Sequence, residues 1–436
     1  MHILIVTHFY PPLNAIASLR PRSFARYFAA QGHKVTVLTT QKSLADGNLD
    51  LDVYAHQNIK VIEVPYKPLF FWQKESAPAP VSNDKKATNN KDIKARAAGI
   101  LKAILHSMGY LIDRQRFWVE PAFREARQVM QQEKIDVVLS TFAPPAVHVL
   151  ASKIVARYPQ VKWIADYRDL WSQNHLMPTK GIFKTLERGI EKKTIARADH
   201  LTTVSEPLVA DLVALTQNRI PASVIYNGFD TDIEIPEVQK QSELSLPVRI
   251  VYTGVIYKNR RDPAPLLNAL RELKEEGVIK SGDVQVDFYG NANANLQEIV
   301  DQCQASEWTN IKGYVSYKEA LSIQQSADYL LFLESNAKDA RGVLTGKLFE
   351  YLIAGKPILG VGIDEYCASG QVIRDTRTGA VLGTDTTLIK DYFRSLFIAK
   401  TDTAYNPDWK KVQEYSREKQ AEKLLNIIKE QLYKAG

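Results

Sequence analysis

Short apolar runs alternate with helical stretches along the first half of the chain. Runs rich in β-branched residues predict buried strands, and apolar residues spaced three and four apart predict helices between them. The predicted strands are Ile3–Val6, Val35–Thr39, Val61–Val64, Val137–Ser140, Lys162–Ala165, Leu201–Val204 and Ser223–Tyr226, and the predicted helices include Arg20–Gln31, Ala122–Gln132, Ala146–Arg157 and Phe183–Arg197.

The same alternation restarts after a polar segment. Strands alternating with helices indicate parallel sheets covered on both faces. We therefore predict an α/β protein with two doubly wound, Rossmann-like domains facing a central cleft, where ligands bind beyond the carboxyl ends of the strands. The second set of strands is Ile250–Thr253, Val284–Tyr289, Tyr329–Leu333 and Ile358–Val361, with helices at 265–276, at Leu296–Gln302 and around Glu350.

The restart sets the predicted domain boundaries. Residues 1–230 form an N-terminal domain, 231–247 a linker and 248–408 a C-terminal domain. A helix within 409–436 carries apolar positions suited to packing on either domain, including back on the N-terminal one.

A segment inside the N-terminal domain has a different composition. Residues 74–92 are rich in Pro, Ser, Asn and Lys and predict a flexible insertion. Residues 91–112 predict an amphipathic basic helix. Such a helix can associate peripherally with an anionic membrane or pack on the domain core, and both alternatives stay open.

Composition narrows the class of protein. The chain has 436 residues, 45% hydrophobic and 24% charged, as in soluble globular proteins. Its net charge of +7 permits an anionic partner without requiring one, and we expect no nucleic acid. Cys303 and Cys367 are too few for a disulfide framework and fit a reducing compartment. With no signal peptide or apolar span, we expect a cytoplasmic protein, at the inner face of the membrane if the basic helix binds lipid.

The segment Arg341–Val361 carries the most chemical information. Thr345 and Gly346 start a helix on which Lys347 and Glu350 are neighbours three positions apart. A helix N-terminus with a lysine can hold phosphate, and a carboxylate one turn on can accept ribose hydroxyls. The alternative is an ordinary surface Lys/Glu pair.

A basic loop follows the first strand of the second domain. It contains Gly254, Tyr257, Asn259, Arg260 and Arg261, between a strand and a helix. The loop therefore lies at the carboxyl end of the sheet, where its cations can face phosphate. A solvated loop with no ligand is the alternative.

An acidic and basic cluster follows a strand of the first domain. Asp166, Arg168 and Asp169 can orient an acceptor hydroxyl, with one aspartate as a base. Equally, an Asp–Arg pair can simply brace the loop. Two D-x-D triplets, Asp50 to Asp52 and Asp230 to Asp232, are interpreted as loop acids, so we expect no metal site.

Seven short motifs occur along the chain in a fixed order. They are FYPP (Phe9–Pro12), QGHKVTVLT (Gln31–Thr39), ADYRDLW (Ala165–Trp171), ADHLTTVSE (Ala198–Glu206), YNGFD (Tyr226–Asp230), YTG (Tyr252–Gly254) and TGKLFEYLIAGKPIL (Thr345–Leu359). Together and in this order they resemble a GT-B glycosyltransferase of family 4, with its glycosyltransferase 4-like N-terminal domain. The resemblance spans nearly the whole chain.

The resemblance implies a retaining transferase that needs neither a metal nor another cofactor. Its donor would be a nucleotide-diphospho-sugar and its acceptor a hydroxyl on a second substrate. The implied residues are, for the donor, Gly254, Tyr257, Asn259, Arg260, Arg261, Thr345, Gly346, Lys347 and Glu350; for the acceptor, Tyr10, Asn14, Arg20, Asp166 and Arg168; and for catalysis, Asp166, Arg168, Asp169 and Lys347.

One departure from the family pattern concerns the sugar ring. Many members have two glutamates eight positions apart in the donor segment, and here Gly342 replaces the first while Glu350 matches the second. We expect a hexosyl- or N-acetylhexosaminyl-type transferase that uses a lipid-linked or oligosaccharide acceptor in polysaccharide or glycolipid biosynthesis. The alternatives are a nucleotide-sugar epimerase of the same fold and a catalytically weak carbohydrate-binding or scaffold protein.

Overall fold

The computed structural model describes residues 1–67, 113–174, 179–231, 245–256, 261–290, 294–335, 340–399 and 405–434. Contacts divide the chain into an N-terminal unit, Met1–Tyr226 with Ala421–Gly436, and a C-terminal unit, Asn227–Gln420. The predicted insertion 74–92 and basic helix 91–112 lie outside the described residues, as does most of the predicted linker 231–247.

The N-terminal unit is built on a seven-stranded parallel sheet of order β3-β2-β1-β4-β5-β6-β7. Two 3-10 turns, Leu44–Asp46 and Arg114–Trp118, lie in its connections. Its strands are β1 (His2–Thr7), β2 (Lys34–Thr40), β3 (Ile59–Val64), β4 (Val137–Phe142), β5 (Lys162–Tyr167), β6 (His200–Thr203) and β7 (Ala222–Val224). Its described helices up to Tyr226 are α1 (Ile16–Ala30), α2 (Val119–Gln132), α3 (Pro145–Arg157), α4 (Gly181–Ile195) and α5 (Glu206–Thr216).

Both faces of this sheet are buried. Successive side chains of a strand point to opposite faces, so β1 contributes to two cores. Leu4 packs in one core with Trp163, whereas Ile5 packs in the other with Phe24 and Phe28 of α1. This two-sided burial explains why the strands read as continuous apolar runs.

The C-terminal unit repeats the architecture with a six-stranded parallel sheet of order β10-β9-β8-β11-β12-β13. Its strands are β8 (Val248–Thr253), β9 (Val284–Tyr289), β10 (Thr309–Gly313), β11 (Tyr329–Leu333), β12 (Ile358–Val361) and β13 (Gly379–Gly383); its described helices are α6 (Ala264–Glu275), α7 (Ala294–Gln302), α8 (Tyr317–Gln325), α9 (Gly346–Ile353), α10 (Ala368–Thr376), α11 (Thr386–Ala399) and α12 (Trp409–Glu414). The predicted α/β class with two doubly wound sheets is confirmed.

Two strands of the second sheet were not predicted. Strand β10 lies at a sheet edge and is only half-buried, so it lacks a continuous apolar run. Strand β13, at the opposite edge, begins and ends with glycine. Edge position and glycine content both weaken the sequence signal on which strand prediction depends.

The predicted terminal helix is two helices, not one. Helix α12 ends at Glu414 and α13 (Arg417–Tyr433) starts after a two-residue break. Phe229 donates its N–H to the Tyr415 carbonyl (3.3 Å) and accepts one from the Arg417 N–H (2.8 Å), so these backbone groups bond outside the helix. The residues of α13 from Ala421 onward belong to the N-terminal unit.

Cys303 and Cys367 are both buried and unpaired. Among the described residues, no helix combines the length and the apolar character needed to cross a bilayer.

Candidate functional site

The strand order of the C-terminal unit reverses between β8 and β11. In open parallel sheets such a reversal opens a crevice beyond the carboxyl ends of the two strands, where ligands bind. Gly254 directly follows β8 and Glu334 directly follows β11. Lys347, at the start of α9, reaches the same point, because a Cβ on Gly254 would lie 2.2 Å from its Nζ.

The ammonium group of Lys347 is buried without a hydrogen-bond partner among the described residues. Its Nζ lies 3.8 Å from the centroid of the Tyr252 ring, within cation–π range. Burial, assisted by the positive charge of Arg261, lowers the pKa of Lys347 to about 7 although Glu350 and Glu334 oppose the shift. A buried ammonium without a paired anion is unfavourable, so the site favours an anionic ligand.

Gly254 makes this approach possible. Its φ of +143° lies in a region that residues with a Cβ rarely adopt. A Cβ there would also meet Cε of Lys347 at 2.8 Å. The glycine predicted from the basic loop is therefore required by both backbone conformation and lack of space.

Glu350 lies one turn beyond Lys347 and is half-buried. Gln324 of α8 donates its amide to Thr253 Oγ1 at 2.9 Å and makes a longer contact of 3.4 Å to Glu350 Oε2. Burial raises the pKa of Glu350, against the lowering effects of Gln324, Lys347 and Arg417. Since Lys347 Nζ is unpartnered, the alternative of an ordinary surface Lys/Glu pair is wrong.

Three residues that support the site were not among the site residues predicted from the sequence. Gln324 is almost fully buried on a polar helix, and Tyr252 lies within β8 beneath Lys347. The Tyr351 hydroxyl accepts the Thr253 N–H at 3.1 Å, and burial raises the pKa of Tyr351 to about 12. Tyr252 and Tyr351 lie within the motifs Tyr252–Gly254 and Thr345–Leu359, and these motifs were the signal that could have indicated them.

The basic loop is described only in part. Tyr257, Asn259 and Arg260 lie outside the described residues. Arg261 contacts Glu334 Oε2 at 3.3 Å through one guanidinium nitrogen and the Val255 carbonyl at 3.4 Å through another.

The start of α9 matches the prediction. Thr345 is the N-cap residue, in an extended conformation, and Gly346 is the first helical residue. The backbone N–H groups in the first turn of α9 have no partner within the helix, and such groups favour the binding of an anion.

In the N-terminal unit, Asp166 is a bracing residue. It lies within β5 and is fully buried, rather than following the strand as predicted. Arg20 of α1 binds both carboxylate oxygens, Nε to Oδ2 at 2.9 Å and Nη2 to Oδ1 at 2.6 Å, and Thr202 donates to Oδ1 at 2.7 Å. A third nitrogen of Arg20 donates to the Tyr226 carbonyl at 2.8 Å, so the pair ties α1 to three strand-end segments.

The remaining members of the predicted cluster form a separate pair. Arg168 binds Asp169 Oδ2 through two nitrogens, at 2.6 and 3.0 Å, and lies 5.6 Å from the centroid of the Phe9 ring. Asp169 is 46% exposed. The structure therefore does not bring Asp166 into a shared carboxylate site with Asp169, because their side chains pair with different arginines.

The other predicted acceptor residues follow β1. Tyr10 is buried, which raises its pKa to about 12 against the nearby charge of Arg22. Asn14 donates to Asp50 at 2.9 Å on the surface. Lys42, which no motif marked, follows β2; it donates to Thr39 and Thr40, and burial lowers its pKa to about 8.

Two of the D-x-D acids have other partners in the structure. Asp50 accepts from Asn14, and Asp230 pairs with Arg417 at 2.6 Å. Asp232 lies outside the described residues. In the part of the chain that is described, no group of three or more His, Cys, Asp or Glu side chains is placed to hold a metal ion.

Comparison with known proteins addresses the family and the fold. Residues 21–233 match the family model described as Glycosyltransferase Family 4. These residues belong to glycosyltransferase family 4. No curated protein matches the chain by sequence.

Solved structures similar to this chain cover nearly its full length. They include sucrose-phosphate synthase from Thermosynechococcus elongatus (13% identity, TM-score 0.64, all of both chains), HepE from Anabaena in complex with UDP and glucose (12%, TM-score 0.55, 99% and 100%), and WaaG, a glycosyltransferase involved in lipopolysaccharide biosynthesis (13%, TM-score 0.52, 98% and 99%). At these identities the likeness shows the fold, which is GT-B.

Proposed function

We propose that the protein is a retaining glycosyltransferase that moves a hexosyl or N-acetylhexosaminyl group from a nucleotide-diphospho-sugar to a lipid-linked or oligosaccharide acceptor. Family 4 membership of the N-terminal unit and the GT-B fold support a transferase. The complex of HepE with UDP and glucose supports a uridine nucleotide as the first donor to test. Polysaccharide or glycolipid biosynthesis is the process in which such an acceptor would be consumed.

One observation carries the donor assignment. The buried, unpartnered ammonium of Lys347 lies at the reversal of strand order, beside a glycine whose missing side chain leaves room for the lysine itself. A diphosphate supplies the anion that this cation lacks. Glu350, with one oxygen contacted by Gln324, keeps acceptor capacity for ribose hydroxyls.

In the proposed reaction the bond between the anomeric carbon and the diphosphate oxygen breaks, and a bond from that carbon to the acceptor oxygen forms on the same face. Negative charge develops on the departing diphosphate, and Lys347 with Arg261 would stabilise it. The acceptor proton passes to the departing diphosphate. No protein base is needed, which agrees with an Asp166 whose two oxygens are already bound by Arg20 and Thr202.

A thermal-shift screen of nucleotide sugars tests this proposal. A true donor at about 100 times its dissociation constant adds about 2.7 kcal/mol to the free energy of unfolding. Lys347→Met should lose most of that shift, whereas Lys312→Met, at an exposed position of the same unit, should keep it. The absence of a shift with every nucleotide sugar, or an equal shift in Lys347→Met, would contradict the donor site.

Analysis of the reaction products distinguishes a transferase from an epimerase and from a binding protein. With a donor alone, a transferase releases slow hydrolysis products, an epimerase interconverts donor sugars, and a binding protein leaves the donor intact. Interconversion without an acceptor would replace the proposed transfer by epimerisation.

A further inference from the structure

A second carboxylate, that of Glu334, lies at the proposed donor site in addition to Glu350. Glu334 is the first residue after β11, at the reversal of strand order, and its side chain is only 10% exposed. Burial and Arg261 lower the pKa of Lys347, while Glu350 and Glu334 both oppose that shift. The lysine ammonium, which has no hydrogen-bond partner among the described residues, is therefore within electrostatic reach of two carboxylates.

The two carboxylates have neighbours from opposite faces of the sheet. Strand order runs one way from β8 to β9 and the other way from β11 to β12, so right-handed crossovers place α6 and α9 on opposite faces. Glu350 lies on α9. Arg261, in the segment that leads into α6, donates its Nη2 to Glu334 Oε2 at 3.3 Å. The crevice therefore has one carboxylate associated with each face.

The contacts of Glu334 leave one of its carboxylate oxygens available. Oε2 accepts from Arg261, whereas Oε1 has no donor in the part of the chain that the structure describes. Arg261 also donates to the Val255 carbonyl at 3.4 Å, and the Tyr252 hydroxyl donates to the same carbonyl at 3.0 Å. A carboxylate oxygen accepts hydrogen bonds from hydroxyl groups strongly.

This arrangement of charges matches the order of groups in a nucleotide-diphospho-sugar. In the proposed function, Glu350 accepts the ribose hydroxyls, and Lys347 with Arg261 holds the diphosphate. The sugar is attached to the phosphate that is farther from the ribose. A carboxylate paired with a phosphate-binding arginine is therefore placed to meet the sugar ring rather than the nucleoside.

We propose that Glu334 accepts ring hydroxyls of the donor sugar and thereby selects a neutral sugar, an inference that rests on the proposed function. Oε1 binds the sugar, while Oε2 keeps Arg261 directed at the diphosphate. A uronic acid would bring a second carboxylate close to Glu334, and the repulsion between like charges disfavours such a donor. Glu334 is thus a specificity-determining residue of the donor site.

Binding measured with and without the sugar isolates this contact. The probes are UDP-glucose, UDP-N-acetylglucosamine and GDP-mannose, each compared with the methyl ester of its nucleoside diphosphate, which has the same charge but no sugar. Calorimetry gives the ratio of the two dissociation constants for each pair. For the nucleotide sugar that the wild type binds most tightly, Glu334→Gln should weaken binding about tenfold relative to the matching ester, because a charge-assisted hydrogen bond is weakened.

Glu350→Gln is the matched control, because the ribose is common to both ligands of a pair. It should weaken binding of the nucleotide sugar and of the ester alike, so that their ratio is unchanged. Glu334→Asp is a second test variant, which keeps a charge for Arg261 but withdraws the carboxylate by one methylene, and it should also lower the preference for the sugar. Circular dichroism checks that each variant folds.

Three results would overturn the proposal while leaving the donor site in place. An unchanged ratio in both Glu334 variants would show that Glu334 only braces Arg261. Wild-type protein that binds the esters as tightly as the nucleotide sugars would show that the sugar makes no such contact. Tighter binding of UDP-glucuronate than of UDP-glucose would contradict the selection of a neutral sugar. Wild-type protein that binds neither nucleotide sugars nor esters would instead contradict the proposed function, and this inference with it.

Discussion

Lys347 combines burial, lack of a partner and an aromatic neighbour in one side chain. An ordinary ion pair would satisfy the ammonium, yet its nearest described carboxylates, Glu350 and Glu334, bind Gln324 and Arg261 instead. The lysine is therefore poised to change its charge when an anion arrives. Proton binding and donor binding at this position should be linked.

Donor affinity should therefore depend on pH. The pKa of Lys347 is about 7 in the free protein, lowered by burial and by Arg261. A diphosphate favours the charged form and raises that pKa, so donor binding takes up a proton. We expect donor affinity to be greatest below about pH 7 and to fall by up to about tenfold per pH unit above it. Calorimetry in buffers of different ionisation enthalpy measures both the affinity and the proton uptake.

Lys347→Met provides the control for this linkage. It should bind donor more weakly at low pH and show a flatter dependence on pH. An unchanged slope in this variant would assign the titration to another group.

Substitutions at Glu350 and Lys347 should affect the kinetic constants differently. Glu350→Gln weakens a charge-assisted hydrogen bond to the donor, so the donor KM should rise and kcat/KM should fall about tenfold to a hundredfold. In Lys347→Ala the donor KM should also rise, because the bound diphosphate loses its cation, and kcat should fall further than in Glu350→Gln, because the charge that Lys347 stabilises grows as the diphosphate departs. Steady-state kinetics with varied donor concentration distinguish the two. Wild-type constants in both folded variants would show that the donor binds elsewhere.

Asp166→Asn should lower the free energy of unfolding. Its carboxylate is bound by Arg20 on both oxygens in a fully buried position, and removing one charge of such a pair costs about 3–5 kcal/mol. Asp169→Asn is the control, since its half-exposed pair with Arg168 contributes about 0–1 kcal/mol. Denaturant titration of both variants measures the difference. A stable Asp166→Asn protein with kcat near zero would show instead that Asp166 is a catalytic base.

Helix α13 completes the core of the N-terminal unit although it comes last in the chain. Leu424 and Ile428 are fully buried and pack in the core that contains Phe24 and Phe28 of α1. The helix therefore covers a sheet face that would otherwise expose apolar side chains.

Leu424→Ala should destabilise that unit by about 2–5 kcal/mol, through lost burial and the cavity left behind. Tyr433→Ala on the same helix should change the free energy of unfolding by less than about 0.5 kcal/mol, because Tyr433 is 82% exposed. Equilibrium unfolding by denaturant compares the two. Equal effects would mean that α13 does not contribute to the core in solution.

For the whole protein, we expect transfer to proceed without an added divalent cation. The described residues offer no cluster of metal-ligating side chains, and Lys347 and Arg261 supply positive charge at the proposed diphosphate position. Activity measured after chelator treatment should equal that of untreated protein. Loss of activity on chelation, with recovery on adding manganese or magnesium, would contradict this prediction.

The repeated pattern of strands and helices determined much of the architecture. Continuous apolar runs predicted eleven of the strands, because a parallel sheet buried on both faces leaves a strong local signal. The edge strands β10 and β13 were not predicted, because half-burial in β10 and glycine residues in β13 remove that signal. The break between α12 and α13 depended on backbone bonds to Phe229, which no local pattern encodes.

At the site, sequence spacing alone placed Lys347 and Glu350 on one helix near a glycine loop. Charge pairing was decided only by the tertiary structure: Asp166 meets Arg20, 146 positions away in the chain, while Arg168 binds its neighbour Asp169. Likewise, Gln324 and Tyr252 gain their roles only through packing. Local periodicity reports which residues are buried and in which element, but hydrogen-bond partners and pKa shifts depend on groups that folding brings together from distant parts of the chain.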